Sequence, residues 1–443
     1  MAEEQVNGLS LKVYVDTQNN RVIYAECGGD FVDVLFSFLT TPLGAIVSLS
    51  PSQSLPLGKG CLNNMYRSVE NMDVKNFNTR ACKVLLLSPR NSAESHCMNL
   101  KLQVDDTLGT KYRCSANCSK ISHYSDVLCD CGMPMKDKWK LPLKSMDGAG
   151  VFVKDMGFII TDDLQVLCAS SSVCFSLFSK LGIMDRRTVE ERSFNVGANE
   201  IVNMLLQSFV SKTPLSETFL KCKPTPEFIH PILFPERSID RYSQKVEHQK
   251  NEEQRVSLKL MICKSKKTVC YAEADRDFVN LLLSFLTVPL GHLVKNIHNG
   301  SFNGCVNHLY KSVQYLDEQC FEDIASAKLV LSPSLALGCW YRNDLVGINK
   351  EMGPSSYYYL KSGNDGGFLT GHKMFIVTDS LVITPLSSVL CFSILEEMKV
   401  PFTDIEEKIV KVNQELALRL LVSSFVSESA LTDTFMREAK PIC

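Results

Sequence analysis

The stretch Leu11–Gly44 reads LKVYVDTQNNRVIYAECGGDFVDVLFSFLTTPLG, and Leu258–Gly291 reads LKLMICKSKKTVCYAEADRDFVNLLLSFLTVPLG. The two stretches align without a gap, and 17 of their 34 positions are identical. The similarity continues in the same order through GCLNNMYRSV and GCVNHLYKSV, FIITDDLQV and FIVTDSLVI, and SFVSKTPLSETF and SFVSESALTDTF. A repeat of domain length, far longer than the period of a solenoid, predicts an internal duplication.

The repeat sets the predicted domain layout. The first unit is expected at 9–220 and the second at 256–436, with short tails at 1–8 and 437–443. Between the units, residues 221–255 are rich in proline at first and charged afterwards. This composition is typical of a linker that is extended and then flexible.

Each unit is predicted to begin with a β-hairpin followed by an amphipathic helix. LKVYV and RVIYAE alternate apolar and polar residues around a turn-prone Gln18-Asn19-Asn20. Asp30 and Asp277 stand where a helix N-cap is expected, because apolar residues recur at helical spacing after them. The first of these helices is expected to end near Thr40-Thr41-Pro42.

Later segments complete the predicted unit. KVLLLSP and KLVLSP suggest short buried strands, and FIITDDLQV and FIVTDSLVI a further strand or strand pair. A last helix is predicted over Ala198–Val210, which carries two apolar stripes at four-residue spacing. Helices and strands are mixed without strict alternation, so the predicted class is α+β: two homologous tandem units, the first with a cysteine-rich insertion.

Composition excludes several classes of protein. The net charge of −2 gives no field that would attract nucleic acid or anionic lipid. The N-terminal MAEEQVNGLS lacks the features of a secretory signal, and the longest apolar runs are about half of what spans a bilayer. We therefore expect a soluble protein inside the cell, cytoplasmic or nuclear, where most of its 18 cysteines stay reduced. Single cysteines in apolar context are expected to be small buried side chains: Cys82, Cys168, Cys174 and Cys391.

Four cysteines form the one cluster that the repeat does not explain. Residues 111–144 are an insertion with few counterparts in the second unit, and they contain Cys114, Cys118, Cys129 and Cys131. Two close pairs of thiolates can supply the tetrahedral set that structural zinc prefers, and His123 is available as a substitute ligand. Free thiols or a redox-responsive cluster are the alternatives. An all-thiolate set is typical of a structural zinc site and not of a catalytic one.

The insertion is also basic, with seven Lys or Arg residues against three Asp residues. This flank could contact phosphate, so weak nucleic-acid binding is one hypothesis, although a solvated surface is the favoured interpretation.

Catalytic motifs are missing from the sequence. There is no phosphate-binding loop, no H-E-x-x-H and no G-x-S-x-G, and no histidine recurs at equivalent positions of both units. A Cys–His dyad present in each unit is therefore excluded. An enzyme could still have a site at the junction of the units, and a carboxylate pair such as Glu26 with Asp162 is one candidate.

The motifs together resemble those of the plant proteins of the DUF674 family, a family defined by a domain of unknown function. The resemblance rests on DFVDVLFSFLTTPLG, GCLNNMYRSVENM, LLLSP, YRCSANC…CDCG, FIITDDLQV and LLQSFVSKTPLSETFL, and it extends over essentially the whole chain. It implies a plant source and an intracellular location, but no activity, cofactor or functional residue. The function predicted is thus non-enzymatic binding of a protein partner, with a zinc-stabilised lobe in the first unit.

Overall fold

The structure is a computed structural model that contains both helices and antiparallel sheets, as an α+β class requires. It describes residues 8–49, 60–104, 109–116, 118, 120–125, 127–129, 131–140, 150–223, 231–233, 256–297, 304–336, 343–348, 367–371 and 373–437. Most of the predicted linker and nearly all of both predicted tails lie outside these residues. We call residues 8–223 the N-terminal half and residues 256–437 the C-terminal half.

The strands form three antiparallel sheets. They are β1 (Leu9–Asp16), β2 (Arg21–Cys27), β3 (Thr110–Cys114), β4 (Ile121–Ser122), β5 (Met135–Lys140), β6 (Phe158–Thr161), β7 (Val166–Cys168), β8 (Val189–Val196), β9 (Val256–Cys263), β10 (Thr268–Ala274), β11 (Phe375–Thr378), β12 (Ile383–Pro385) and β13 (Ile405–Val412). The first sheet has the order β7-β6-β2-β1-β8, the second β12-β11-β10-β9-β13, and the small third sheet β4-β3-β5. The first two sheets therefore share one strand order.

Helices cover both large sheets and fill the space between them. They are α1 (Gly29–Thr40), α2 (Leu43–Leu49), α3 (Leu62–Asn71), α4 (Arg80–Leu87), α5 (Glu94–Cys97), α6 (Ser171–Lys180), α7 (Ala198–Ser208), α8 (Pro214–Leu220), α9 (Arg276–Ser284), α10 (Leu290–Lys295), α11 (Asn307–Tyr315), α12 (Ile324–Leu331), α13 (Ser388–Glu397), α14 (Gln414–Val426) and α15 (Ala430–Phe435). Within the residues that the structure describes, none of these helices has the length and hydropathy to span a bilayer.

The predicted hairpin is confirmed in both halves. β1 pairs with β2, and β9 pairs with β10, each with one register irregularity near the turn. Asp16 closes the first turn, because its carboxylate accepts the backbone N–H groups of Gln18 and Asn19. The strand pair predicted from FIITDDLQV is also confirmed as β6 and β7.

The helix after the hairpin begins two residues earlier than predicted in both halves. The N-cap positions are Gly28 and Asp275, so the assignment of Asp30 and Asp277 as caps is wrong. Asp275 accepts the N–H groups of Asp277 and Phe278, which is the bonding expected of a capping aspartate. The predicted end is confirmed, since α1 stops at Thr40.

The segments KVLLLSP and KLVLSP are helical, so the prediction of strands is wrong. α4 and α12 contain them, and both helices are capped by side chains that the prediction overlooked. Thr79 accepts the N–H of Cys82, and Asp323 accepts the N–H of Ser326. A short apolar run does not distinguish a buried helix from a buried strand, and here the N-cap residues decide the outcome.

The two halves share one apolar core. α1 of the N-terminal half packs against α10, α11 and α12 of the C-terminal half, and one continuous cluster of buried residues spans both. Pro42 and Pro289 face each other in a β-bridge, where Leu43 N–H bonds the Val288 carbonyl at 2.9 Å.

Contacts between the halves occur in matching pairs. Cys61 N–H donates to the Ser424 carbonyl and Cys305 N–H to the Ser208 carbonyl. The bridge between Val153 and Phe321 is likewise matched by one between Phe77 and Leu369.

Candidate metal centre

The cysteine cluster lies in a small lobe built on the third sheet. β3 pairs with both β4 and β5, and the register of the β3–β5 pair shifts at Cys114, the last residue of β3. The chain then returns through a tight turn, in which Gly132 N–H donates to the Cys129 carbonyl at 2.8 Å. Gly132 has a φ of 82°, a conformation that glycine adopts without steric cost.

The structure brings the four predicted cysteines together. The Sγ atoms of Cys114, Cys118, Cys129 and Cys131 all lie within 4.8 Å of one another. A zinc ion with Zn–S bonds of about 2.3 Å in a tetrahedron separates its sulfurs by about 3.8 Å. Four soft donors at this spacing are compatible with a bound metal ion. Cys114 and Cys129 are buried, whereas Cys131 is exposed.

The turn favours a thiolate at Cys131. The backbone N–H of Met133 and the neighbouring thiols donate to its sulfur and lower its pKa to about 7. Hydrogen bonding to Cys131 raises the pKa of Cys118 to about 12, and burial raises the pKa of Cys129. The low pKa of Cys131 favours the thiolate form, which is the form that binds a metal ion.

His123 is not a member of the cluster, so its expected role as a substitute ligand is wrong. Its Nδ1 lies 3.2 Å from Oε2 of Glu94, and both side chains are buried. Burial raises the pKa of Glu94, but bonding to His123 and to the N–H of Gly109 outweighs burial and leaves the pKa below its usual value. The imidazole therefore joins the lobe to α5.

Two carboxylates anchor the lobe where it leaves the main core. Glu94 accepts Gly109 N–H at 2.7 Å, directly before β3. Asp33 of α1 accepts three successive N–H groups, those of Val151 (2.7 Å), Phe152 (2.8 Å) and Val153 (2.9 Å), after β5. Glu94 thus holds the start of the lobe, and Asp33 holds the segment that follows it.

The basic residues of the lobe are less accessible to a phosphate group than their number suggests. Lys111 is buried, and the guanidinium of Arg113 stacks 4.4 Å from the ring centroid of Trp139. Lys136 and Lys138 are exposed on β5. The side chain of Lys140 and the whole of Lys144 lie outside the described residues.

The suggested carboxylate pair has no catalytic arrangement. Asp162 is fully buried and accepts both the N–H (2.8 Å) and the hydroxyl (2.5 Å) of Ser216. Burial raises the pKa of Asp162 to about 7. Glu26 faces the hydroxyl of Tyr14 instead. Asp379 binds Thr432 as Asp162 binds Ser216, so this contact belongs to the fold shared by both halves.

Two contacts between the halves were not predicted from the sequence. His308 Nδ1 lies 3.1 Å from Oδ2 of the buried Asp163, which also accepts the hydroxyl of Thr161. Cys168 forms a disulfide with Cys320, so its prediction as a plain buried side chain is wrong. Cys82 is buried and free as expected, whereas Cys174 and Cys391 are free but only partly buried. The sequence held a signal for both contacts, because the four residues that make them align with other residue types in the other half. His308 aligns with Asn64, Asp163 with Ser380, Cys168 with Pro385 and Cys320 with Asn76.

Comparison with known proteins identifies one family. The model described as "Protein of unknown function (DUF674)" matches residues 5–363 and 347–415, which together make up nearly the whole chain. No curated protein matches the sequence, and no solved structure matches it either.

Proposed function

The chain belongs to the DUF674 family, and we propose that it is a non-enzymatic binding protein whose cysteine lobe is stabilised by zinc and contacts a protein partner. The observation that carries the proposal is the convergence of four sulfur atoms within 4.8 Å. Cys114, Cys118, Cys129 and Cys131 would hold the ion, which would supply cross-linking of a small sheet and no chemistry of its own.

The lobe has few buried apolar side chains of its own, so a bound metal ion would be needed to stabilise its fold. Its separate cluster of buried residues comprises Cys114, Cys129 and Met135, with Tyr112 and Cys118 packed against them. Three of these five side chains are the proposed ligands themselves. A sheet of this size gains most of its folding free energy from the metal in known zinc-dependent modules.

We further infer that the two halves, 9–220 and 256–436, descend from one duplicated unit. The common strand order of the first two sheets supports this inference. The lobe at 111–144 would then be an addition to one copy. A plant source and an intracellular location belong to the proposal on the strength of the family resemblance alone.

Enzymatic activity at the junction of the halves is the alternative. The pair His308–Asp163 lies there, and a carboxylate that orients an imidazole is a common part of catalytic sites. Its other partners favour a packing role, because Thr161 and Gln165 hold Asp163 within the β6–β7 turn. Nucleic-acid binding through Lys136 and Lys138 is a weaker alternative, since Arg113 is stacked and Lys111 is buried.

Metal analysis of the purified full-length protein tests the zinc proposal. We expect about one zinc per chain, lost in Cys114→Ser and in Cys131→Ser. The matched control is Cys82→Ser, which removes a buried thiol of α4 and should leave the zinc content unchanged. A folded wild-type protein without metal would contradict the proposal.

Affinity purification with the same variants tests the role of the lobe. A protein that is captured by the wild type and by Cys82→Ser, but not by Cys114→Ser, would support a contact through the lobe. An identical set of captured proteins for all three would contradict it.

A further inference from the structure

The N-terminal half contains a cavity between α1, α2 and the residues that follow α4. Its volume is about 100 Å³. Phe38 and Cys97, which are each 2% exposed, line it together with Ser48, which is exposed. The cavity therefore reaches from the core to the surface, and we call it the α1–α2 cavity.

The wall of the α1–α2 cavity is only partly repeated in the C-terminal half. Two of its residues differ in size or polarity from their counterparts, since Ala45 aligns with His292 and Asn91 with Leu335. Five lining residues have identical counterparts: Ser37, Phe38, Pro42, Ser88 and Pro89 align with Ser284, Phe285, Pro289, Ser332 and Pro333.

The C-terminal half fills the corresponding positions with side chains of its own. His292 Nε2 bonds the carbonyl of Val346 at 2.9 Å, and burial lowers the pKa of His292 to about 4, so the imidazole is neutral. Val346 is fully buried, and Leu335 is 1% exposed. The fold can thus close this space by itself, and the N-terminal half leaves it open because Ala45 has no side chain that reaches across it.

The chemistry of the wall selects against charge. Among the thirteen described residues that line the α1–α2 cavity, none is charged, so an ionised ligand would lose its hydration without gaining a partner. Three hydroxyl groups of the wall already donate to carbonyls of α1 and α2: Ser37 to Val34, Thr41 to Ser37 and Ser48 to Ala45. Their oxygens therefore remain as acceptors.

Asn91 adds a further acceptor. Its Nδ2 donates to Oγ1 of Thr40 at 2.9 Å and to Sγ of Cys97 at 3.6 Å, so both amide hydrogens are in use. Its Oδ1 accepts the N–H of Ala93 at 2.8 Å and can accept a second hydrogen bond. These four polar side chains thus offer a ligand acceptor atoms.

We propose that the α1–α2 cavity binds a small neutral molecule, a single ring or a short chain, that carries one O–H or N–H donor. An enclosed cavity of about 150 Å³ holds one benzene molecule, so a volume of about 100 Å³ with an open mouth limits the bound part of the ligand to that size. The donor bonds an acceptor of the wall, and the apolar part contacts Phe38. The inference goes beyond the proposed function, because none of the four clustered cysteines lines the cavity and the two sites can be tested separately.

Isothermal titration calorimetry with the full-length protein tests this inference. The test ligand is phenol, a neutral ring with one O–H donor, and we expect one saturable site per chain. Anisole has a methyl ether in place of the O–H and should bind at least about three-fold more weakly. Benzoate is charged and should not bind measurably. Absence of saturable phenol binding, or equal affinities of phenol and anisole, would overturn the inference.

Two variants introduce the side chains of the C-terminal half. Ala45→His and Asn91→Leu should each weaken phenol binding at least about ten-fold, because a larger side chain fills the space. Asn195→Leu is the matched control, since Asn195 is exposed on β8, and should leave the affinity unchanged. If both cavity variants bind phenol as tightly as the wild type, phenol lies elsewhere and the inference is wrong.

Alkylation by iodoacetamide, followed by mass spectrometry of the peptides, locates phenol in the wild type. Cys97 lines the cavity, whereas Cys82 of α4 is buried to a similar degree, at 3% exposed, and does not line it. At a phenol concentration of about ten times the Kd, alkylation of Cys97 should slow about ten-fold while that of Cys82 is unchanged. An unchanged rate at Cys97 would count against the cavity, and this result holds even if a cavity variant fails to fold.

Discussion

Asp33 offers a direct test of how a buried carboxylate holds the segment that follows the lobe. Its side chain is 2% exposed and accepts three backbone N–H groups of Val151, Phe152 and Val153. The aligned residue of the C-terminal half is Asn280, whose Oδ1 accepts the N–H groups of Phe368 and Leu369. One half therefore uses a carboxylate and the other an amide for the same task. We predict that Asp33→Asn folds and removes one component of the pH dependence of stability.

The size of the expected change in stability follows from the pKa of Asp33. Burial is the dominant cause and raises the pKa from 3.8 to about 6, although the three N–H groups oppose it. The folded protein then binds more protons than the unfolded chain between these values, so the contribution of Asp33 to stability is present below pH 3.8 and is lost as the pH rises through about 6. A difference of about 2 pKa units corresponds to about 3 kcal/mol, of which about 2 kcal/mol develops between about pH 4.5 and about pH 7.5.

Urea unfolding followed by far-UV circular dichroism, at both pH values, measures this contribution. The free energy of unfolding of Asp33→Asn, relative to the wild type, should rise by about 2 kcal/mol from the lower to the higher pH. Asn280→Asp is the matched control and should introduce a dependence of the same sign. Asp33→Ala should be destabilised at both pH values, because three buried N–H groups lose their acceptor at about 1–3 kcal/mol each. An unchanged difference between wild type and Asp33→Asn at the two pH values would refute the reasoning.

Two further predictions concern contacts between the halves. Gly60→Ala places a Cβ atom 2.1 Å from the carbonyl oxygen of Phe425, so we expect the free energy of unfolding in urea to fall by at least about 2 kcal/mol. Gly28→Ala is the control and should be much less affected, because its Cβ would meet only the carboxylate of Asp155, at 3.9 Å. Cys168→Ser removes a disulfide with a sequence separation of 152 residues and should cost about 2–4 kcal/mol. Mass spectrometry after alkylation without a reductant should then detect one more modified thiol than in the wild type, because Cys320 is released; an unchanged or lower number would count against the disulfide.

Local signals in the sequence were sufficient for the hairpin and for the end of the helix after it. β1 alternates in period two before a turn that Asp16 closes, and Pro42 follows Thr41, the C-cap residue of α1. These features depend on residues that are close to one another in the chain, so they can be predicted from the sequence. The strands predicted at KVLLLSP and KLVLSP failed because a short run of apolar residues does not show its period in the sequence. In the structure each helix has an exposed side, at Val84 of α4 and at Ile324 of α12.

The cysteine cluster could be predicted because its segment has few counterparts in the second half of the sequence. The pairing of β3 with β5 brings Cys114 close to Cys131, with their sulfurs 3.4 Å apart. The exclusion of His123 could not be predicted, because it depends on Glu94, a residue of α5 outside the lobe. Spacing identifies which ligands are near in the chain, but a buried partner from another element decides which of them are available.

The contact between Gln165 and Pro231–Leu233 shows why comparing the two halves by sequence alone is incomplete. Gln165 and Val382 differ by an ordinary substitution, and neither reveals whether its surface is covered. The answer depends on Pro231–Leu233, which lies beyond the end of the first repeat and bonds Gln165 across 66 to 68 residues of sequence. Once that contact is known, the substitution has a structural meaning, because the amide of Gln165 binds a segment of its own chain that the side chain of Val382 could not bind by hydrogen bonds.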